Sequence, residues 1–334
     1  MGTDTFSADV TAVSPFASRR KRVSVPIFLR GNLNRRDLLK GSVAGALALC
    51  APRLLKAQPA VTRLTGTLAL IDGGGANVTA LSTGDGFVLV DSGAPNSGDT
   101  VMAALKGLAS NGKVLTLFNT HYHLDQTANN ERFAAEGAKI ISQKRTREWM
   151  AADYWVPEEQ RYVKARSKAA LPTETFLTKG SMKAGNEEIE YGYLLMAHTC
   201  GDSYVYFKGA NVMAVGDVAS PLRDPELDWF TGAWVGGRVD SMDLLLSIGN
   251  DQTRYVPAYG TVMTKAQLKA ERDMMEEVRQ RIFDRVRAGE GPEDMLKGGA
   301  LDGLPRKWKD PLKFLYAAAK GAWGYYDKLG ENVV

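Results

Sequence analysis

Two of the three histidines in the sequence are separated by a single residue and follow shortly after a run of apolar residues. The run spans residues 114–118 and is typical of a strand that is buried on both faces of a sheet. His121, His123 and Asp125 follow it in the order His-x-His-x-Asp, and the remaining histidine, His198, follows a second apolar run. Alternating strands and helices in two sets along the chain favour an α/β sandwich, in which loops at one edge of the two sheets would bring the histidines together.

The histidines also form a candidate metal site. Three neutral imidazoles with one open coordination position are the ligand set of a catalytic zinc ion. A single histidine is more often a structural residue than a ligand, but here every histidine of the chain lies at a strand-to-loop junction with an aspartate nearby. The sequence therefore predicts a zinc ion bound by His121, His123 and His198.

These residues resemble the pattern of the metallo-β-lactamase-fold hydrolases. The resemblance covers about residues 62 to 290 and also includes Asp72 to Val78, Phe87 to Gly93 and the pair Gly216-Asp217. It implies a four-layer αββα sandwich with the metal at one edge of the two sheets, and a hydrolase that uses metal-activated water on a small-molecule substrate. The pattern is specific for the family but not for any one substrate.

Two positions depart from the family's pattern. Gln126 stands where the family usually has a histidine after the aspartate, and Tyr259 stands where it usually has one near the end of the domain. The resemblance thus implies one metal position with all its histidines and a second that keeps only Asp125 and a possible bridging carboxylate, Asp217. Amide and phenol oxygens are poorer zinc ligands than imidazole, so we expect one zinc ion and at most a weakly held second metal.

Several roles remain open for the residues of the second position. Asp125 either binds a second metal or orients the attacking water, and Asp217 either bridges two metals or hydrogen-bonds to a ligand histidine. Tyr259 either donates a hydrogen bond to a developing oxyanion or fills the space of the lost ligand. We interpret Cys200 as a small turn residue rather than a nucleophile, because the nearest histidine is already a predicted ligand.

Residues 1–57 resemble a twin-arginine export signal. The pair Arg35-Arg36 precedes a mildly apolar segment over residues 41–51, and Ala57 fits the last position before a cleavage site. The segment is too short to span a bilayer, so we expect no stable membrane anchor, contact with the twin-arginine export machinery, and a periplasmic or secreted mature protein. The alternative is a disordered basic tail.

Loss of this segment would change the charge of the chain. Removing its ten basic and three acidic residues from the chain's 42 and 38 leaves 32 basic and 35 acidic residues, a net charge of −3. Nucleic-acid binding, which needs a basic face, loses its support. Cys50 would be removed as well, leaving Cys200 without an intramolecular disulfide partner.

We expect a core domain at residues 58–290 and a C-terminal helical extension at 291–334 that packs on it. Residues 61–70 predict one strand, residues 127–136 a helix, and residues 144–179 one or two helices whose aromatic side chains either line the substrate cleft or anchor the insert. The spacing over residues 264–288 predicts a long helix capped by Thr264. Loop 220–237 is expected to form a second wall of the cleft.

Three functions fit the sequence. The first is an exported zinc hydrolase acting on an ester, thioester, lactone or amide bond. The second is a binding or accessory protein that keeps the fold and one metal but turns over weakly or not at all. A redox protein with iron in the three-histidine site is a third, more distant alternative.

Overall fold

The computed structural model of the protein describes residues 60–330, with backbone alone for residues 325–330. The predicted export signal, residues 1–57, lies outside the described residues. The strands are β1 (Val61–Arg63), β2 (Leu68–Asp72), β3 (Asn77–Ser82), β4 (Phe87–Val90), β5 (Val114–Asn119), β6 (Lys139–Gln143), β7 (Tyr154–Val156), β8 (Arg161–Val163), β9 (Glu174–Phe176), β10 (Lys179–Ala184), β11 (Glu187–Leu194), β12 (Asp202–Phe207), β13 (Val212–Gly216), β14 (Arg254–Pro257) and β15 (Met263–Thr264). The helices are α1 (Gly98–Leu108), α2 (Leu124–Thr127), α3 (Asn130–Ala135), α4 (Lys144–Met150), α5 (Val235–Ser247), α6 (Lys265–Arg287), α7 (Pro292–Lys297) and α8 (Pro311–Gly330).

The strands form two large sheets and one hairpin within the described residues. The first sheet has the order β1-β2-β3-β4-β5-β6-β9, and the second has the order β10-β11-β12-β13-β14-β15. Strands β4, β5 and β6 are mutually parallel, as are β13 and β14, whereas β10 to β13 form an antiparallel meander. Strands β7 and β8 pair only with each other.

Three apolar clusters separate four layers. The first lies between α1 and α3 and the outer face of the first sheet, and it includes Leu105, Leu117 and Phe133. The second fills the space between the two sheets, where Phe118 meets Tyr191 with ring centroids 5.0 Å apart. The third lies between the second sheet and the helices α5 to α8. The predicted four-layer αββα sandwich is confirmed.

Several predicted elements differ from the observed ones. Residues 61–70 form two strands rather than one, because the hydroxyl of Thr65 accepts a hydrogen bond from the Leu68 backbone N–H (2.9 Å) and closes a turn. The predicted helix over residues 127–136 corresponds to the shorter α3, which is separated from α2 at Asn129, whose side chain donates to the carbonyls of the loop after β4.

Of the one or two helices predicted over residues 144–179, one is observed, α4, whereas the chain after it does not form a second α-helix. After α4 the chain forms the β7–β8 hairpin, in which Trp155 pairs with Tyr162 across the strands. Aromatic and β-branched residues favour such a pair of strands, and Pro157 lies in the connection between them. The insert therefore presents a hairpin, not a helix, beside the metal-site edge.

The C-terminal part follows the predicted helical pattern. Thr264 caps α6 through reciprocal hydrogen bonds with Gln267, as predicted. Phe314 and Leu315 of α8 are buried in the apolar cluster that covers the second sheet. None of the helices described within residues 60–330 has the length and apolar character needed to cross a bilayer.

The strand ends that carry the predicted ligands meet where the two sheets join. The Ser203 backbone N–H of the second sheet donates to the Thr120 carbonyl of the first (2.9 Å). Gly216, at the end of β13, has a φ of 57°, and a Cβ there would lie 2.9 Å from the side chain of Thr120. Only glycine permits this approach, which brings Asp217 next to the His121 loop.

Candidate metal centre

His121, His123 and His198 converge at the junction of the two sheets. One ring nitrogen from each lies within 4.8 Å of the other two, and the ring centroids are 4.7 to 4.8 Å apart. The rings meet nearly edge to face, at interplanar angles of 77° to 88°. The three predicted zinc ligands are thus brought together, with their nitrogens aimed at one point.

A chain of buried polar groups positions His121. The carboxylate of Asp91 accepts hydrogen bonds from the backbone N–H and the hydroxyl of Thr120, both at 2.8 Å. The Thr120 oxygen then lies 3.0 Å from Nδ1 of His121 and accepts its proton. This leaves Nε2 as the unprotonated nitrogen, and that atom is buried without a hydrogen-bond partner. Burial, reinforced by the nearby His198 and His123 rings, lowers the pKa of His121 well below its usual value and keeps the ring neutral.

His123 is held in the opposite tautomer by Asp228. Its Nε2 donates to the Asp228 carboxylate over 2.8 Å, so Nδ1 faces the cluster. Nδ1 lies 3.1 Å from Nε2 of His198. Burial opposes protonation of His123, but the Asp228 carboxylate outweighs it and raises the pKa of the ring to about 9. The hydroxyl of Tyr122 also donates to Asp228 and holds that carboxylate in place.

His198 lies in a turn that its own loop constructs. The Asp202 carboxylate accepts hydrogen bonds from the backbone N–H groups of His198 (2.6 Å) and Thr199 (2.8 Å). Nδ1 of His198 donates to the carbonyl of Glu226 over 2.8 Å, so Nε2 carries the lone pair that faces the cluster. The ring itself is completely buried.

The donor set fits a metal ion. Each histidine has one nitrogen fixed by an outer partner and presents the other, Nε2 of His121, Nδ1 of His123 and Nε2 of His198, to a common point. An orphaned, buried imidazole nitrogen such as Nε2 of His121 is costly unless something binds it. Three imidazoles oriented by outer hydrogen bonds are the arrangement found in zinc sites with an open fourth position.

The residues predicted for a second metal position have other partners. The Asp125 carboxylate accepts a hydrogen bond from the Tyr259 hydroxyl. Nε2 of Gln126 lies 3.5 Å from the hydroxyl oxygen of Tyr259. Asp217 lies 3.8 Å from Nε2 of His198, as a bridging carboxylate would, but it also forms an ion pair with Arg223. The assignment of Asp125 and Asp217 as metal ligands therefore remains a prediction.

Sequence reasoning missed two residues of the site. Asp228 and Arg223 both lie in the loop after β13, which was expected to form only a wall of the cleft. Asp228 is 105 residues away from His123 in the chain, so no local spacing links the two. Arg223 follows Asp217 by six residues, and this short separation is the one signal that could have identified it.

A cleft of about 540 Å³ opens beside the histidines. Asp125, Arg223 and Tyr259 line one side of it, and Tyr154 and Phe230 line another. Its volume is in the range of about 300 to 1,000 Å³ that small-molecule sites occupy. Two other aromatic residues of the insert, which were expected either to line the cleft or to anchor the insert, lie elsewhere. The Trp149 ring stacks on Tyr122, whereas Trp155 lies on the exposed hairpin.

Comparisons with known proteins agree with this arrangement. The family model described as the metallo-beta-lactamase superfamily matches residues 71–258. No curated protein matches the sequence closely enough to count as a relative.

Solved structures share the fold at low sequence identity. A metallo-beta-lactamase from Pontibacter korlensis aligns with a TM-score of 0.54 and 18% identity over 66% of this chain and 99% of that one. The metallo-beta-lactamase IND-7 aligns with a TM-score of 0.53 and 20% identity over 66% and 99% of the two chains.

A longer protein is also similar. The stereoselective inverting sec-alkylsulfatase Pisa1 from Pseudomonas sp. aligns with a TM-score of 0.58 and 12% identity over 80% of this chain and 50% of that one. Likenesses at these identities show the fold alone. Because the family model covers more than half of the sequence, we conclude that the chain belongs to the metallo-beta-lactamase superfamily.

Proposed function

We propose that the protein is an exported, metal-dependent hydrolase that works with a single zinc ion on a small-molecule substrate. The observation that carries this proposal is the fixed orientation of the three histidines, each with one nitrogen hydrogen-bonded to an outer partner and the other turned toward the common cluster. When bound there, zinc would supply Lewis-acid activation of water and of the substrate's electrophilic group.

The residues around the histidines can supply the remaining steps. Asp125 lines the cleft, and its Oδ2 accepts a hydrogen bond from Tyr259. The same carboxylate can accept a proton from an attacking water or hold that water in line with the substrate. Burial and the hydrogen bond to Asp125 raise the pKa of Tyr259, so its hydroxyl stays protonated and donates. Tyr259 therefore supports Asp125 by a hydrogen bond to its carboxylate.

The substrate is a molecule with an ester, thioester, lactone or amide bond that fits the cleft. Support comes from the size of the cleft and from its mixed lining of aromatic and charged residues. The similar structures include β-lactamases and an alkylsulfatase, so the fold alone does not select among bond types.

Export is proposed from the sequence of residues 1–57. A twin-arginine route carries folded proteins, which suits a chain whose metal site is assembled from both sheets. The mature protein would then act in the periplasm or outside the cell.

The rival is a metal-binding accessory protein with little or no turnover. The engagement of Asp125 with Tyr259 and of Asp217 with Arg223 favours it, since both carboxylates already have partners in the described residues. Turnover separates the two functions, because both require the metal.

The test is a hydrolysis screen of the zinc-loaded protein with chromogenic esters, thioesters, lactones and β-lactams, with His121→Ala alongside. We expect turnover of at least one class, reduced to background in His121→Ala. Asp153→Ala is the matched control, because Asp153 is an exposed carboxylate that binds Lys164 away from the cleft. Absence of turnover across the panel in a zinc-loaded protein would favour the accessory function. Turnover that survives His121→Ala would contradict the site.

A further inference from the structure

Arg223 occupies an unusual position beside the histidines. Its guanidinium donates to the Asp217 carboxylate, and its central carbon lies 3.4 Å from the centroid of the Tyr259 ring. The side chain is 31% exposed and lines the cleft, whereas Asp217 is only 2% exposed. A buried carboxylate next to the metal ligands is thus neutralised by a residue of the same loop.

The guanidinium is close to the predicted ligands as well. Asp217 lies between the Arg223 guanidinium and His198, since the carboxylate that pairs with Arg223 has an oxygen 3.8 Å from Nε2 of His198. The positive charge of Arg223 is also among the causes that lower the pKa of His121, after burial and the other two histidines. Burial lowers the pKa of Arg223, but the charge of the nearby Asp217 and its hydrogen bond outweigh that effect, so the pKa is raised and the side chain stays charged.

The loop that carries Arg223 is anchored from several sides. Nη1 of Arg306 donates to the carbonyl oxygens of Arg223 (2.6 Å) and Ser220 (2.9 Å). The buried Arg238 donates to the carbonyl of Asp217 (2.7 Å) and to the hydroxyl of Ser220 (2.8 Å). The backbone that carries both members of the ion pair is therefore held in place from several sides.

We propose that Arg223 replaces the second metal ion of this fold and keeps the centre mononuclear. A divalent cation on Asp217 would have to displace the guanidinium or lie beside it. Two positive charges that share one carboxylate repel each other strongly in a partly buried site. Gln126 and Tyr259 would compensate poorly, because amide and phenol oxygens are weak zinc ligands. Arg223 supplies a fixed positive charge at this side of the cleft without dissociating.

The proposal rests on metal binding by the three histidines, which is part of the proposed function, and does not require hydrolysis. It differs from an explanation by missing histidine ligands at positions 126 and 259, because it assigns the closure of the second metal position to the positive charge of Arg223. The two explanations are separable by restoring a ligand with and without the guanidinium.

The experiment compares wild type, Gln126→His, Arg223→Gln and the double variant Gln126→His/Arg223→Gln. Each is titrated with cobalt(II), and bound metal per chain and the visible spectrum are recorded after gel filtration. We expect one equivalent in wild type and in Gln126→His. A second equivalent should be retained in the double variant, since the freed Asp217 and the new imidazole then act together. Its affinity should exceed that of any weak second-site binding to Gln126→His by about tenfold or more.

Gln126→His/Arg161→Gln is the matched control. Arg161 also lines the cleft but pairs with Glu159, so its loss should leave one equivalent. The variant Gln126→His/Arg223→Lys tests whether the positive charge is what matters. It keeps that charge, so it should bind one equivalent of metal, as Gln126→His does. Folding of each variant is checked by circular dichroism, and Arg223→Met is used if Arg223→Gln does not fold.

Two results would overturn the assignment of Arg223. One is two tightly bound metals in wild type, and the other is equal binding of a second metal in Gln126→His with and without Arg223. Failure of the first equivalent to bind in any variant would instead count against the three-histidine site and the proposed function. The first and second equivalents therefore test the two proposals separately.

Discussion

Replacing Asp228 by asparagine should change how the metal affinity depends on pH. The Asp228 carboxylate accepts the Nε2 proton of His123 and raises the pKa of that ring from 6.5 to about 9. This shift corresponds to about 3 kcal/mol of preference for a positive charge on the ring. A metal ion on Nδ1 benefits from the same carboxylate, but it must first displace the proton that lies between His123 and His198.

The attraction of the metal to the carboxylate and the competition from the proton are distinguished by varying the pH. With a pKa of about 9, proton competition lowers the apparent affinity of wild type about fifty-fold between about pH 9 and pH 7. With an ordinary pKa of about 6.5, the loss in Asp228→Asn over the same range is only about 1.3-fold. We therefore expect wild type to bind zinc about 10- to 100-fold more tightly than Asp228→Asn at about pH 9. The ratio of the two affinities should then fall about forty-fold between about pH 9 and pH 7.

The assay is competition for zinc between the protein and a chromophoric chelator at several pH values. Tyr122→Phe is the matched control, because it removes the other hydrogen bond to Asp228 while keeping the charge, so its pH profile should follow that of wild type. Parallel profiles for wild type and Asp228→Asn would refute the role of Asp228 in setting the protonation of His123.

Three further predictions follow from the same geometry. Thr120→Val removes the hydroxyl that accepts the Nδ1 proton of His121, and zinc affinity measured by the same competition should fall about 10- to 100-fold; an unchanged affinity would mean that the tautomer is fixed otherwise. Burial raises the pKa of Asp91 from 3.8 to about 7, so its contribution to folding is complete below about pH 4 and is lost as the pH rises to about 7. The melting temperature of the metal-free wild type should accordingly fall relative to that of Asp91→Asn over this range, and a difference that grows in the opposite direction would contradict the burial effect. Burial also raises the pKa of the Cys200 thiol to about 11, so iodoacetamide at about pH 8 should label Cys200 only after unfolding, and labelling of the native protein would show that it is accessible.

The layer architecture could be predicted because its determinants are local. Strands such as β4 and β5 are mostly apolar runs, and the start of α6 is marked by the capping pair Thr264 and Gln267. The ligand histidines were also visible, since each follows such a run and the chain has no others.

The rest of the site depends on contacts between distant segments. Asp228 and Arg223 lie in a loop with no periodicity, and only the folded chain places them against His123 and Asp217. The β7–β8 hairpin was mistaken for helix because short aromatic segments fit both periods, and pairing of Trp155 with Tyr162 decides between them. Sequence patterns thus identified the candidate metal ligands, but not the groups that fix their protons and charges.

Zinc content per chain is the most direct measurement of the central claim. The purified protein is dialysed against zinc-free buffer and analysed by elemental mass spectrometry, together with His198→Ala. We expect about one zinc ion per chain in wild type and none in His198→Ala, because the lost imidazole leaves two ligands. Two tightly held ions in wild type, or a full equivalent in His198→Ala, would contradict a mononuclear centre built from His121, His123 and His198.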